Sequence, residues 1–376
     1  HAEYYTGWAE RVGERLWTSN EVAAMRELDA GWSDLRAAAV YATGDLALMA
    51  RLLGALAMEA NVRYRVEVGD WAADALTAAD REGAAADVRA VILGALTAIE
   101  AQSGDVVEAA AHGSRLADLC EAGDPAVPFE MWPPVIASVI ATGDIALADR
   151  LQVQAELRLG EAPQPWAPSI TSMTRAFVST YSGQRDIARD AIALALEQAP
   201  DDLSPTLRAF TGWVAASISD APPAELLVEV EAALGTARVG QSVGLQSLLE
   251  QMRASVLSKV GDLTQPLRDA ADNLERLLAT RGVGSAPQIV HGAAMILVKA
   301  ERYDAAATLL GWVSSKPNFR SPPPREIEKS IGQRAEESRR VGVMLSTEDA
   351  IHFAIETLRA AANDLDSGNR RETSPE

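Results

Sequence analysis

The chain has 376 residues, of which 48% are hydrophobic and 5% aromatic, and it carries a formal net charge of −19. The hydrophobic content is enough for a packed core, which excludes an intrinsically disordered chain. An acidic surface of this size repels phosphate backbones and argues against nucleic-acid binding. The excess of alanine over β-branched and aromatic residues favours helices over strands.

The predicted elements begin with an amphipathic helix over residues 1–17, whose apolar residues recur at helical spacing. A longer helix, capped at Ser19 or Asn20, is predicted to run through Leu28 and Trp32 to Val40. Two further helices are predicted over residues 46–64 and 70–76.

Helix pairs are predicted for the rest of the chain, starting with a clear pair around Gly104 over residues 84–122. Prolines mark the boundaries between later pairs, because proline is tolerated at a helix start and not in its middle. The later helices are predicted over residues 226–237, 245–260, 266–279, 287–300 and 305–313. A proline-rich loop over residues 315–324 precedes two closing helices, over 325–340 and 347–362, the second begun by a capping pair of Ser346 and Asp349.

A Gly-Asp pair recurs where one predicted helix ends and the next begins. Glycine ends a helix easily in the left-handed conformation, and aspartate caps the free N–H groups of the following helix. The pair begins at residues 44, 69, 104, 143 and 261, and looser copies lie at 183, 220 and 303. Successive copies are 25 to 42 residues apart, and periods of this length are typical of tetratricopeptide, HEAT and armadillo arrays.

The sequence therefore predicts an all-α fold, an α-solenoid of tetratricopeptide-like antiparallel helix pairs wound into a right-handed superhelix. One such pair cannot bury its own apolar face, so neighbours must stack to form the core. We expect an N-terminal helical segment over residues 1–83, degenerate repeats over 84–318, capping helices over 319–362 and a disordered tail over 363–376.

One short motif matches a catalytic pattern. Residues 240–244 have the form G-x-S-x-G, with Ser242 in the nucleophile position and His291 and His352 further along the chain. That motif works on a sharp turn between a strand and a helix, and here the preceding residues are predicted to be helical. A glycine-bounded turn between repeats is the preferred interpretation, and a helical serine hydrolase is the alternative.

No pattern for a metal or cofactor is present in the sequence. The four histidines are far apart, Cys120 is the one cysteine, and no phosphate-binding loop occurs. We therefore expect no metal, no cofactor and no catalytic activity. No apolar run reaches membrane-spanning length and no signal peptide opens the chain, so a cytoplasmic protein without membrane contact is expected. Because the chain begins with His1, we expect it to be part of a longer protein.

A superhelix of this type offers a concave groove for a partner or a small ligand. Aromatic residues and arginines dominate binding hot spots, and several lie near the predicted repeat boundaries. The candidates for the groove are Trp132, Trp166, Arg175, Arg208, Trp213 and Arg253. Core packing for the tryptophans and surface ion pairs for the arginines are the competing interpretations.

The two ends of the chain resemble a region found in large bacterial regulators. The residues that carry this resemblance are 1–5, 8–10, 28–38 and 44–45 at one end, and 305–311, 322–324 and 342–351 at the other. This region is similar to the segment that follows the ATPase and winged-helix modules of actinobacterial STAND ATPases, including LuxR-type and cyclase-linked regulators. The resemblance covers roughly residues 1–80 and 300–360, and no catalytic residue of that family maps onto this chain.

The resemblance implies a non-catalytic sensor or interaction arm of a multidomain signalling ATPase or transcriptional regulator. Such an arm binds a partner protein or a small-molecule inducer and restrains or releases the upstream ATPase and winged-helix domains of the same polypeptide. A pure protein–protein scaffold is the alternative within the class of binding modules.

Overall fold

The structure, a computed structural model, describes residues 1–123, 125–162, 164–261, 263–280, 283–316 and 324–372. Throughout these ranges the regular structure is helical, and the one strand-like feature is a bridge between Thr18 and Leu203. The prediction of an all-α fold is therefore confirmed for the described residues.

Twenty α-helices lie in these ranges. The first ten are α1 (Ala2–Arg15), α2 (Glu21–Ala30), α3 (Trp32–Ala42), α4 (Leu46–Arg63), α5 (Val66–Glu82), α6 (Ala86–Ser103), α7 (Val106–Gly123), α8 (Trp132–Thr142), α9 (Ile145–Arg158) and α10 (Ala167–Tyr181). The others are α11 (Arg185–Glu197), α12 (Pro205–Ile218), α13 (Pro223–Val239), α14 (Val243–Leu257), α15 (Thr264–Thr280), α16 (Ala286–Lys299), α17 (Tyr303–Ser314), α18 (Arg325–Ile331), α19 (Arg334–Val343) and α20 (Thr347–Glu372).

The helices pack in neighbouring pairs that follow the order of the chain. From α4 to α11, the first helix of each pair contacts its own second helix, and it also contacts the first helix of the next pair. The row of first helices is thus α4, α6, α8, α10 and α12. This arrangement buries each pair against the next, as an α-solenoid requires.

The Gly-Asp turns explain several helix ends. Gly104 and Gly143 end α6 and α8 with φ angles of 89° and 79°, in the left-handed region where glycine has no steric penalty. Asp45 and Asp144 cap α4 and α9, each accepting a hydrogen bond of 3.0 Å from the backbone N–H three residues ahead. These turns lie where the sequence predicted them.

The turn predicted at Gly69 is wrong, because this residue lies inside α5. The chain turns instead at Tyr64, whose φ of 56° is left-handed without the help of a glycine. Gly69 serves close packing: a Cβ there would lie 3.0 Å from the side chain of Ile99 in α6. With the turn at Tyr64, the spacing to Gly104 becomes 40 residues, whereas the spacing from Gly44 falls to 20.

Two other predicted helices are each divided in two. The helix expected from residue 20 to 40 breaks at Gly31, where a side chain would collide with the indole of Trp8, 2.4 Å away. The helix expected over residues 325–340 breaks at Gly332, with a φ of 52°. The proline-rich loop and the Gly261-Asp262 turn lie partly outside the described residues, at 317–323 and 262.

The chain forms two compact units. Unit 1 comprises His1–Ile218 with Gly235–Val243, and unit 2 comprises Ser219–Leu234 with Gly244–Glu376. This division does not follow the predicted boundary after residue 83, and the predicted boundary after residue 318 lies outside the described residues.

The tail predicted to be disordered from residue 363 is helical as far as the structure describes it, because α20 continues to Glu372. Its acidic residues have partners in unit 2: Asp364 pairs with Arg302, and Asp366 pairs with Arg268. Leu365 also packs on the buried cluster of unit 2. These tertiary contacts stabilise a segment whose composition alone predicts disorder. Residues 373–376 lie outside the described part of the chain.

Unit 1 is tied together by a contact between its beginning and its end, called the closure contact below. Residues 17–21, which link α1 to α2, lie against Trp166 and residues 202–206. Thr18 bridges Leu203, and the Ser204 N–H donates to the Trp17 carbonyl oxygen at 3.2 Å. The rings of Trp17 and Trp166 stack with their centroids 4.2 Å apart and their planes within 9°. Residues almost two hundred positions apart therefore meet inside one unit.

The closure contact includes a buried glutamate side chain. Glu21 is fully buried, and its Oε2 accepts a 2.9 Å hydrogen bond from the backbone N–H of Thr206 in the first turn of α12. Ser204 caps the same helix, accepting from the Leu207 N–H at 3.2 Å. A carboxyl oxygen is a suitable acceptor at this position because the first N–H groups of a helix have no partners within the helix.

Candidate functional site

The three tryptophans predicted to line a groove are buried. Trp132, Trp166 and Trp213 expose 1%, 4% and 7% of their surface. Trp166 is covered by Trp17, and Trp213 packs edge-on against Phe177 with centroids 5.1 Å apart. In this conformation the tryptophans pack the interior of unit 1 and present little surface to a partner.

The three predicted groove arginines are engaged with neighbouring elements. Arg175 of α10 holds Asp149 at 2.6 Å and Glu156 at 2.8 Å, both on α9. Arg208 donates to backbone carbonyls, among them that of Leu203 at 2.9 Å.

In unit 2, Arg253 pairs with Asp269 and, at 3.3 Å, with Glu231. The six predicted groove residues therefore do not form one exposed surface within unit 1, and Arg253 belongs to the other unit.

Ser242 lies in a two-helix turn and not in a nucleophile elbow. Helix α13 precedes the turn and α14 follows it, and Ser242 is 3% exposed. The strand that a G-x-S-x-G nucleophile needs before it is replaced by a helix. His291 and His352 belong to unit 2, whereas Ser242 belongs to unit 1. The geometry thus gives the hydrolase alternative no support.

The described residues contain no group of three or more His, Cys, Asp or Glu side chains placed to hold a metal ion. None of their helices is both long and apolar enough to cross a membrane.

A cavity in unit 1 lies elsewhere, where α1, α4 and α6 meet the segment before α8. Its volume is about 570 Å³. The lining residues are Glu10, Gly13, Glu14, Trp17, Ala47, Ala50, Arg51, Gly54, Ala55, Met58, Asp87, Val88, Val91, Ala126, Pro128 and Glu130. A volume of this size, with a mostly apolar lining and a few polar groups, is typical of small-molecule sites.

Small residues line the cavity where α1 meets α4. Gly13 lies so close to α4 that a Cβ there would be 2.9 Å from the Ala55 carbonyl oxygen. Ala47, Ala50 and Gly54 continue the lining along α4 and leave the volume that larger side chains would fill. The floor is apolar and buried, with Trp17 at 2% and Met58 at 9% exposure.

Carboxylates surround this apolar floor. Glu14 and Asp87 are exposed, while Glu10 and Glu130 are half-buried. Arg51 is the single basic residue of the lining, and it is held by Glu10 at 2.8 Å and 2.9 Å and by Glu3 at 2.8 Å. The cavity therefore combines an apolar interior with an excess of negative charge.

Burial changes the titration of two carboxyls near these features. It raises the pKa of Glu130, and the nearby Glu14 raises it further, although Gln164 donates a 2.6 Å hydrogen bond to the Glu130 carboxylate. Burial raises the pKa of Glu21 to about 7, against the lowering effect of its hydrogen bond from Thr206. In both cases the charged form loses water that protein groups replace only in part.

The chain was also compared with known proteins. No family model, curated protein or solved structure matches it. The resemblance to STAND-type regulators therefore stays a prediction from the sequence, and the geometry described above carries the functional argument.

Sequence reasoning did not find the cavity. The signal that could have found it is the run of small residues at positions 47, 50, 54 and 55 on one predicted helix, together with Gly13 on another. Small residues at helical spacing more often mark close packing than a void, so the pattern becomes informative only when the facing helices are known.

Proposed function

We propose that this chain is a non-catalytic sensor and interaction module of a multidomain signalling ATPase or transcriptional regulator. In this proposal the helix pairs form a tetratricopeptide-like, right-handed superhelix in the cytoplasm. A small-molecule inducer binds in unit 1, and the upstream ATPase and winged-helix domains of the same polypeptide respond. The observation that carries the proposal is the cavity bounded by α1, α4 and α6.

The cavity supports ligand binding by its size and by the chemistry of its walls. Small-molecule sites range from roughly 300 to 1,000 Å³ and combine apolar walls with a few polar groups. The cavity of about 570 Å³ lies within this range. Its buried Trp17, Met58 and Val91 offer apolar contact, and the carboxylates at its edge offer orientation.

Trp17 connects the cavity with the closure contact, because it lines the cavity and stacks on Trp166. Next to it, Glu130 lines the cavity and accepts a hydrogen bond from Gln164, two residues before Trp166. A ligand that packs on these residues binds better when the closure contact is formed. It therefore shifts the population towards the closed arrangement, by as much as its affinities for the two arrangements differ. This gives the module a physical means of passing on a binding event.

The proposal is tested by screening a diverse set of drug-sized molecules against the purified chain by calorimetry. Ala47 is an exposed residue of the cavity lining, and Ala47→Trp places a large side chain at the mouth. Ala73→Trp, at an exposed position of α5 outside the lining, is the matched control. We expect ligands that bind the wild type and the Ala73 variant and lose affinity for the Ala47 variant. Ligands bound equally by both variants would place the sensor site elsewhere.

A protein–protein scaffold is the second candidate, and one surface feature favours it. Tyr4, Val40 and Tyr41 expose 65%, 68% and 71% of their surface on α1 and α3. Exposed aromatic residues in a cluster are common where proteins bind each other. The double variant Tyr4→Ser, Tyr41→Ser should abolish binding of a purified upstream segment if this surface is the interface, and should leave ligand binding in the cavity unchanged.

A further inference from the structure

The carboxylates that line the cavity differ from several carboxylates of unit 1 that are held in ion pairs. In these ion pairs an arginine on the second helix of one pair neutralises carboxylates on the second helix of the preceding pair. Arg115 holds Asp80 at 2.8 Å, and Arg150 holds Glu121 and Asp118 at 2.8 Å and 2.7 Å. At these positions the acidic residues serve the packing of neighbouring helices.

At the cavity this neutralisation is incomplete. Arg51 forms ion pairs with Glu3 and Glu10. No basic side chain of the described chain lies within ion-pair distance of Glu14, Asp87 or Glu130. Asp87 accepts a 2.9 Å hydrogen bond from the backbone N–H of Ala126, and Glu130 accepts one from Gln164. Three carboxylates without a counter-charge thus surround an apolar volume.

We propose that this cavity selects a small amphipathic organic cation, a molecule with an apolar body and one positively charged nitrogen or phosphorus centre. The apolar body packs on Trp17, Met58 and Val91, and the charged centre lies near the carboxylates. The inference rests on the proposed function, because it names the class of ligand for the same cavity.

Charge complementarity is what distinguishes this class from other ligands of the same size. A unit charge near a carboxylate at the edge of a protein gains more than it would in bulk water, because the effective dielectric constant is lower. A cation therefore gains attraction from three uncompensated charges, and an anion of the same shape meets repulsion. A neutral molecule gains only the apolar contact, so its affinity lies between the two.

The choice of probes isolates charge from shape. Tetraphenylphosphonium and tetraphenylborate have nearly the same size and shape and opposite charges. Triphenylphosphine oxide is a neutral molecule of related shape. Their affinities for the complete chain are measured by calorimetry at pH 7.5 and at two salt concentrations, because attraction between partly exposed charges falls as salt rises.

Two double variants test whether a preference for the cationic probe arises at the cavity. Glu14→Gln combined with Asp87→Asn removes two of the uncompensated charges. Glu108→Gln combined with Asp190→Asn removes two exposed charges outside the lining, so it changes the net charge by the same amount. Far-ultraviolet circular dichroism and melting curves confirm that both variants fold as the wild type does.

We expect the phosphonium to bind at least tenfold more tightly than the borate, with the neutral probe between them. The cavity variant should lose about tenfold in phosphonium affinity, and the control variant should change little. Equal affinity for all three probes, each abolished by Ala47→Trp, would overturn the cation preference and leave the sensor cavity in place. Failure of all three probes to bind would overturn the cation preference alone, whereas binding that is insensitive to Ala47→Trp would overturn both proposals.

Discussion

Replacing Glu21 by glutamine tests whether the closure contact holds a buried carboxylate. The side chain is fully buried, and its Oε1 has no hydrogen-bond partner in the described part of unit 1. Glutamine keeps an oxygen that accepts from the Thr206 N–H, and it removes the charge. The groups that face Glu21 are Thr206, Gly240 and the like-charged Glu59.

The expected change in the free energy of unfolding follows from the pKa of Glu21. Folding raises this pKa from its ordinary 4.5 to about 7. Between these values the folded protein holds a proton that the unfolded chain has lost, so the stability falls as the pH rises through this window. Each pKa unit corresponds to about 1.4 kcal/mol, and the full cost above pH 7 is about 3 kcal/mol.

We therefore expect Glu21→Gln to be more stable than the wild type at alkaline pH. The difference in the free energy of unfolding should grow by about 2 to 3 kcal/mol between pH 5 and pH 8.5. Urea denaturation, monitored by tryptophan fluorescence, measures this difference. All the tryptophans except Trp312 lie in unit 1, so the signal reports mainly on this unit.

Glu67→Gln serves as a control with the opposite sign. The Arg36 guanidinium, at 2.7 Å, holds the pKa of Glu67 below its usual range. Its carboxylate therefore stabilises the fold above its unfolded pKa, and this contribution is lost as the pH falls. The Glu67 variant should be less stable than the wild type by a nearly constant amount between pH 5 and pH 8.5, and this difference should shrink as the pH falls below 4.5. If the free energy of unfolding of the Glu21 variant changes with pH as that of the wild type does, the raised pKa of a buried Glu21 carboxyl is refuted.

Two further variants test the packing and capping of the helices. Gly342→Ala should destabilise unit 2 by about 1 to 3 kcal/mol in thermal melts, because a Cβ there would lie 1.8 Å from the Thr308 carbonyl oxygen. Gly235→Ala, on an exposed face of α13 with open space around it, should be neutral or stabilising by up to about 1 kcal/mol, and equal losses in both variants would contradict the packing argument. Asp144→Ala should cost about 1 kcal/mol through loss of the α9 cap on the Leu147 N–H, and an unchanged melting temperature would show that the cap contributes nothing.

Local chemistry explains which parts of the fold the sequence could predict. Gly143 and Asp144 end one helix and cap the next through interactions within a few residues, so their pattern predicts the turn. Gly69 has the same pattern, and its role depends on Ile99 of a neighbouring helix. A glycine needed for close approach cannot be told from a turn glycine without the packing partner.

The same limit applies to the candidate site. Aromatic and charged residues suggested a groove, whereas Trp166 is covered by Trp17 and Arg175 joins two helices. The cavity arises where Gly13 meets the small residues of α4, and nothing in the sequence shows that these two helices face each other. Contacts between residues far apart in the sequence determine both the burial of the tryptophans and the position of the cavity. A local sequence pattern does not contain this information.

The bridge between Thr18 and Leu203 also changes how unit 1 should fold. In an open array each repeat contacts only its neighbours, so folding can start anywhere and terminal repeats can be removed one at a time. Here a contact with a sequence separation of almost two hundred residues must form, and such separations slow folding because a large loop must close first. Deleting α1 together with residues 16–20 would expose the ring of Trp166 and remove the acceptor of the Ser204 N–H, so a truncation that an ordinary solenoid tolerates would here destabilise both ends of unit 1.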